Sequence, residues 1–175
     1  MTAAAVRAAS QAAKFDSLEQ EAYLQLWRTY DRLRELDEQV FATFAISAQQ
    51  YNALRILRSV RPGSLSTSAL GARLVSRAPD MTRLLDRLEE QGLVSRQRSA
   101  ENRRVVDVTI TRAGVALVAK LAADVRRCGR QQLGHLSHDT LQSLIAILAQ
   151  ARAPHEDRST ADLWPGNQRV RGGES

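Results

Sequence analysis

The sequence predicts a mainly α-helical chain with a small β-hairpin wing, a winged helix-turn-helix flanked by N- and C-terminal helices. Three observations predict it. Residues 66–111 pass without spare residues through a short helix pattern, a tight break, an arginine-rich helix pattern, and a strand–basic turn–strand. That is the order in which one helix can enter a major groove while a hairpin carries cations to the phosphates or the minor groove. Long stretches on either side repeat apolar residues at spacings of three and four, the period of a helix face. Finally, the 175 residues carry a formal charge of +6, and nearly all the cations are arginine, which pairs bidentately with phosphate and guanine.

The elements follow in order. Met1 to Phe15 is Ala/Ser-rich, basic and free of acids, a composition shared with transit peptides, and reads better as a helix-prone tail of the first helix. Asp16 to Phe44 reads as a long helix through Leu18, Tyr23, Leu26, Trp27, Tyr30, Leu33, Leu36, Val40 and Phe44. Ser47 and Gln50 then form a capping-box pattern. Tyr51, Leu54, Ile56 and Leu57 make the next apolar stripe, stopped by Arg61, Pro62 and Gly63.

Leu65 to Leu74 reads as the next helix, with Ser66 as its cap. Ala78 to Gln91 reads as the second helix of the pair, with Pro79 in its first turn and Gly92 ending it. Met81, Leu84, Leu85 and Leu88 form its inward stripe, so Asp80, Thr82, Arg83, Asp86, Arg87 and Glu90 project from the other side. Leu93–Arg98 and Val105–Thr111 alternate like strands, with Arg96, Arg98, Arg103 and Arg104 on or near the turn. Thr111 caps a helix through Leu133, and Ser137 with Thr140 starts a last one reaching Ala151. Beyond Arg152 the chain reads as a tail in which Trp164 is the one residue suited to docking on the body. The divisions are therefore an extension (1–15), a long helix (16–46), the winged lobe (47–111), two C-terminal helices (112–151) and a tail (152–175).

Several function classes lose support at this level. One cysteine, Cys128, excludes an internal disulfide framework and fits a reducing cytoplasm. No apolar run approaches the roughly 20 residues that a membrane helix requires. No phosphate-binding glycine loop, nucleophile elbow or HExxH motif is present, so the chain does not read as an enzyme and no cofactor is expected. His135 and His138 flank an ordinary cap at Ser137 and lack the further ligands a metal needs.

With those residues in view, the chain from Leu18 to Ala151 resembles the MarR family of bacterial transcription regulators. The resemblance rests on MTRLLDRLEEQGLV (Met81–Val94) and on RRVVDVTIT (Arg103–Thr111). It implies that the Ala78–Gln91 helix reads the major groove of double-stranded DNA. Asp80, Thr82 and Arg83 are then placed toward base edges, and Arg77 and Arg87 toward phosphates. Arg98, Arg103 and Arg104 belong to the wing, with Arg104 at the position that enters a minor groove. The sequence departs from the family pattern at two places. Asn102 stands where a wing aspartate braces that arginine, and Arg77, Ala78 and Pro79 replace a Ser/Thr-rich approach to the reading helix.

The resemblance further implies a homodimer, with the long first helix and the last two helices as dimerisation helices and a pseudo-palindromic operator. Val115 to Val125, apolar on more than one face, fits that role. It also implies repression relieved by a small aromatic or phenolic effector, for which Tyr23, Trp27, Tyr30 and Tyr51 are the available lining groups. Two alternatives stay open: an architectural, weakly specific DNA binder, and a redox-responsive regulator. In the second, Arg126, Arg127 and Arg130 would depress the Cys128 pKa, although a buried structural thiol reads better.

Overall fold

The computed structural model describes residues 15–75, 80–99 and 102–156. Helix α1 (Leu18–Ala42) starts where the Ser17 hydroxyl accepts the Gln20 amide N–H at 3.2 Å. Of its 25 residues only Phe41, near the C-terminal end, is buried. Helix α2 (Ala48–Ser59) opens on the expected capping box: Ser47 Oγ accepts the Gln50 N–H at 3.1 Å, and Gln50 Oε1 accepts the Ser47 N–H at 2.8 Å. Two of the helix's first donors are satisfied there by side chains three residues apart.

Strand β1 (Leu65–Ser66) and helix α3 (Thr67–Arg73) follow, then helix α4 (Met81–Glu90), strands β2 (Val94–Arg98) and β3 (Val106–Ile110), and helices α5 (Arg112–Leu133) and α6 (His138–Arg152). A 3-10 turn at Ala153–His155 closes the described chain. The sheet is antiparallel in the order β1-β3-β2, with Leu65 opposite Val108 and Val94 through Arg98 opposite Ile110 through Val106. No helix among the described residues is long and apolar enough to cross a membrane.

One core joins these pieces. Leu54 and Leu57 of α2, Leu70 of α3, Leu85 and Leu88 of α4, Val108 of β3 and Leu121 of α5 are its most completely buried side chains. Burying a leucine is worth about 1.5–3 kcal/mol relative to leaving it exposed, so this cluster orients α4 against the sheet. Thr111 locks the other side: its hydroxyl accepts the Gly114 N–H at 3.1 Å and donates to the Gly92 carbonyl at 2.7 Å.

Two element boundaries differ from the sequence reading. Leu65 does not begin a helix; it pairs with β3, and Ser66 caps α3 through the Ala69 N–H at 3.1 Å. Helix α4 starts at Met81, not Ala78, because Asp80 is its N-cap and accepts the Arg83 N–H at 2.9 Å. The expectation for Pro79 falls with Ser76 to Ala78 outside the described residues. At the other end Gly92 takes a left-handed φ of 68°, and the Leu93 N–H returns to the Leu88 carbonyl at 2.9 Å, the expected glycine stop.

Candidate nucleic-acid interface

The face of α4 opposite Leu84, Leu85 and Leu88 carries Thr82, Arg83, Arg87 and Glu90 exposed. Neither Arg83 nor Arg87 has an ion-pair partner among the described residues. Both line a cleft of about 320 Å³ with Ser47, Gln49, Gln50, Asp80 and Leu84. The first turn of α2, whose amide ends favour anions, thus shares a cleft with two guanidinium groups. Asp80 is committed to capping its own helix, which gives that carboxylate a structural duty the sequence reading had not assigned to it.

Two of the acids that neighbour these arginines in sequence, Asp86 and Glu89, are engaged elsewhere. Arg96 on β2 places Nη2 2.6 Å from Asp86 Oδ1 and 2.6 Å from Glu89 Oε2, and its Nε donates to the same Glu89 oxygen at 2.8 Å. Glu89 Oε1 also accepts the backbone N–H of Arg96 at 3.0 Å. The hydrogen bond from Arg96 holds the Glu89 carboxyl below its ordinary pKa, and Glu89 in turn raises that of Arg96. Arg96 is therefore tied to α4 and is not a free cation of the hairpin.

Arg98, Arg103 and Arg104 are exposed and have no ion-pair partner among the described residues. Asn102 turns the tip by accepting the Arg104 backbone N–H at 3.0 Å on Oδ1, while its carbonyl accepts the Val105 N–H at 2.8 Å. It does not hold the Arg104 guanidinium. An amide side chain of this length reaches the backbone two residues on, as Asn does in turns generally. The brace expected at this position therefore acts on the main chain and leaves the guanidinium unheld. Arg77 lies outside the described residues.

A family model described as the MarR family matches residues 46–106. A MarR transcription factor from Planctomyces limnophilus is 54% identical over 77% of this chain and 98% of that one, with a TM-score of 0.62. The chain belongs to the MarR family. Members of this family are transcription regulators and not enzymes, and the fold is their winged helix. More distant structures share that fold. They include the Staphylococcus aureus MepR–DNA complex, with 21% identity, TM-score 0.68 and coverage of 75% and 97%. Bordetella bronchiseptica BpsR, whose DNA binding is regulated by 6-hydroxynicotinic acid, matches at 22% identity, TM-score 0.66 and coverage of 77% and 95%.

Against this MarR frame the four aromatic candidates for an effector site separate. Tyr51 is buried against Phe41, ring centroids 5.0 Å apart, and borders a cleft of about 480 Å³ between α2 and α5. Arg55, Arg58, Val118, Val125 and Arg126 line the same cleft. Tyr23, Trp27 and Tyr30 are instead exposed on α1 and do not line it. Helical spacing put all four on faces, but only packing could tell which face meets a neighbour.

Cys128 of α5 is buried and donates its thiol to Asp37 Oδ1 of α1 at 3.4 Å. Burial, followed by the Asp37 contact, pushes its pKa up to about 11. The flanking arginines do not depress it, because desolvation of the thiolate and the facing carboxylate both favour the neutral thiol. The reading of Cys128 as an activated redox sensor loses its physical basis.

Proposed function

We propose that this chain is a sequence-specific transcriptional repressor in the cytoplasm, binding a pseudo-palindromic operator as a homodimer and released by a small aromatic effector. The observation that carries the reading is the set of guanidinium groups, on two adjacent elements, that have no ion-pair partner among the described residues. Arg83 and Arg87 project from α4, and Arg98, Arg103 and Arg104 from the wing, while Asp86 and Glu89 are turned to a shared partner, Arg96. Glu90 stays exposed on the same helix face, where it stands against two arginines. In this reading Thr82 and Arg83 meet base edges, Arg77 and Arg87 meet phosphates, and Arg104 enters the minor groove.

The exposed apolar side chains of α1 and α6 support the dimer, since burying them on a second copy removes a large apolar surface from water. Two heads one helical turn apart then read two half-sites. For the effector, the cleft beside Tyr51 joins an aromatic wall to Arg55, Arg58 and Arg126, which suits an aromatic carboxylate. The charge-only alternative, an architectural binder, predicts equal affinity for all duplexes.

Selection of bound fragments from genomic DNA, followed by affinity measurements on the selected site, tests the reading. A motif with two-fold symmetry is expected. Arg83→Ala should reduce the preference for that site over random DNA. Arg104→Ala should weaken binding to every duplex and lower the salt dependence by about one unit of slope for each lost phosphate-type contact. Selection that yields no motif would leave the architectural alternative standing.

A further inference from the structure

The contact between Glu89 and Arg96 is too elaborate for an incidental surface ion pair. Glu89 spends both carboxylate oxygens on one residue of β2, taking its main-chain N–H on Oε1 and its guanidinium on Oε2. Asp86, one helical turn earlier on α4, takes the same Nη2. Arg96 is three-quarters buried in this cradle, with 25% of its side chain exposed. Charge-assisted bonds of this length are the strong kind, and a two-point grip fixes direction as well as distance.

Its place in the fold gives it leverage. β2 lies at the edge of the sheet order β1-β3-β2, so one side of its backbone has no strand partner among the described residues. Glu89 occupies that open edge at Arg96. Val94, Arg96 and Arg98 share one face of the strand: Val94 is in the core, Arg96 is clamped, and Arg98 is free. The clamp therefore sits about 7 Å, two residues of rise, before the first free wing cation. It also closes a short ring from Glu89 through the Gly92 turn to Arg96, so the angle between reading helix and wing is held at both ends of that ring.

We infer that Arg96, gripped by Glu89 and Asp86, is a positioning residue that sets the wing against the reading helix, so that one docking pose satisfies a major-groove and a minor-groove contact together. The proposal rests on the DNA-binding reading above and goes beyond it in assigning these three residues a role in binding without any contact to DNA. With the clamp cut, the helix still docks on the core leucines and the wing keeps its cations. What is lost is their fixed relation, so the minor-groove contact weakens first.

Dimethyl sulfate probing of the wild-type protein on its selected operator separates the two grooves, since it modifies guanine N7 in the major groove and adenine N3 in the minor groove. Glu89→Ala and Arg96→Met, each verified as folded by circular dichroism at the probing temperature, should retain guanine N7 protection at saturating protein. They should lose adenine N3 protection at the outer edge of each half-site, with operator affinity reduced about tenfold. Arg96→Lys, which keeps the charge and one donor, should recover part of the adenine protection. If either truncated variant does not fold, Glu89→Gln keeps an oxygen for the main-chain bond and should show the same split at smaller amplitude. Unchanged protection at both bases, or a parallel loss at both, overturns the positioning role. Absence of any footprint with the wild-type protein overturns instead the DNA-binding reading on which it rests.

Discussion

The winged lobe and the helices that flank it are built to different standards. In the lobe, Leu54, Leu70, Leu88 and Val108 are wholly inaccessible. On α1, Tyr23, Trp27 and Tyr30 are 60% or more exposed, and α6 has no buried residue although it carries Ile145 and Ile147 at 53% and 60% exposure. Both regions have helix-period apolar patterns in the sequence, so the pattern alone does not separate them. The difference teaches that the lobe completes its core within one chain, whereas the flanks carry apolar surface that one chain leaves in water. Large exposed patches of that kind mark interaction surfaces.

The strongest way to break the comparison is to substitute one residue in each region. Leu57→Ala removes a fully buried side chain of α2 and should lower stability by about 2–5 kcal/mol in denaturant unfolding. Trp27→Glu alters a side chain that is 60% exposed, and on a face that stays in water it should change stability by no more than about 0.5 kcal/mol. If a second copy covers α1, Trp27→Glu should instead give a monomer in sedimentation and lower a melting temperature that depends on protein concentration. A wild-type protein that sediments as a monomer at micromolar concentration removes the dimer and the palindrome together.

A smaller effect tests whether the lobe's tight packing extends to where α5 joins it. A Cβ at Gly114 would run into the Leu93 carbonyl and lie 2.7 Å from Ile110 Cγ1. Alanine ordinarily favours a helix over glycine by about 1 kcal/mol. Here the obstacle is backbone, so Gly114→Ala should destabilise by about 1–3 kcal/mol in the same unfolding assay. A neutral or stabilising result would mean that the joint between α5 and the α4–β2 link is looser than the lobe around it.

The sequence made the lobe legible where the determinants are local. Ser47 with Gln50, Thr111 before Gly114 and the Gly92 stop each act across three or four residues, and each stands where the pattern placed it. Leu65 reads as helix in the sequence because its strand is two residues long and its partner, Val108, is distant in sequence. Pro79 and Asp80 are both helix-start signals. Asp80 takes the position because its carboxylate can accept the Arg83 N–H, a bond proline cannot supply. Of the site, the exposed cations of α4 followed from periodicity, and those of the wing from the basic turn and the family resemblance. The capture of Arg96 did not, because it depends on the angle between a helix and a strand that only the folded turn defines. The cleft of Tyr51 with Arg55 and Arg126 brings together α2 and α5 and leaves no signature at any single spacing.

Cys128 gives the subtlest test, because it is a buried residue of the flanks themselves, where α5 meets Asp37 of α1. Its pKa is raised from an ordinary 9.0 to about 11. A thiol whose folded pKa is raised contributes stability that is complete below pH 9.0 and disappears as pH rises through about 11, since the unfolded chain releases the proton first. At pH 8 the thiolate fraction of the folded protein should therefore be about 100-fold below that of an ordinary cysteine. Alkylation by iodoacetamide should be slowed by about tenfold or more, because the more basic thiolate is also the stronger nucleophile, while burial blocks the reagent. Addition of a mild chaotrope that leaves the lobe folded should restore the rate if α1 lifts from α5 independently of the lobe. Restoration only at the global unfolding midpoint would show that the flanking pair and the winged lobe melt as one unit, and the contrast between them would then be one of surface and not of stability.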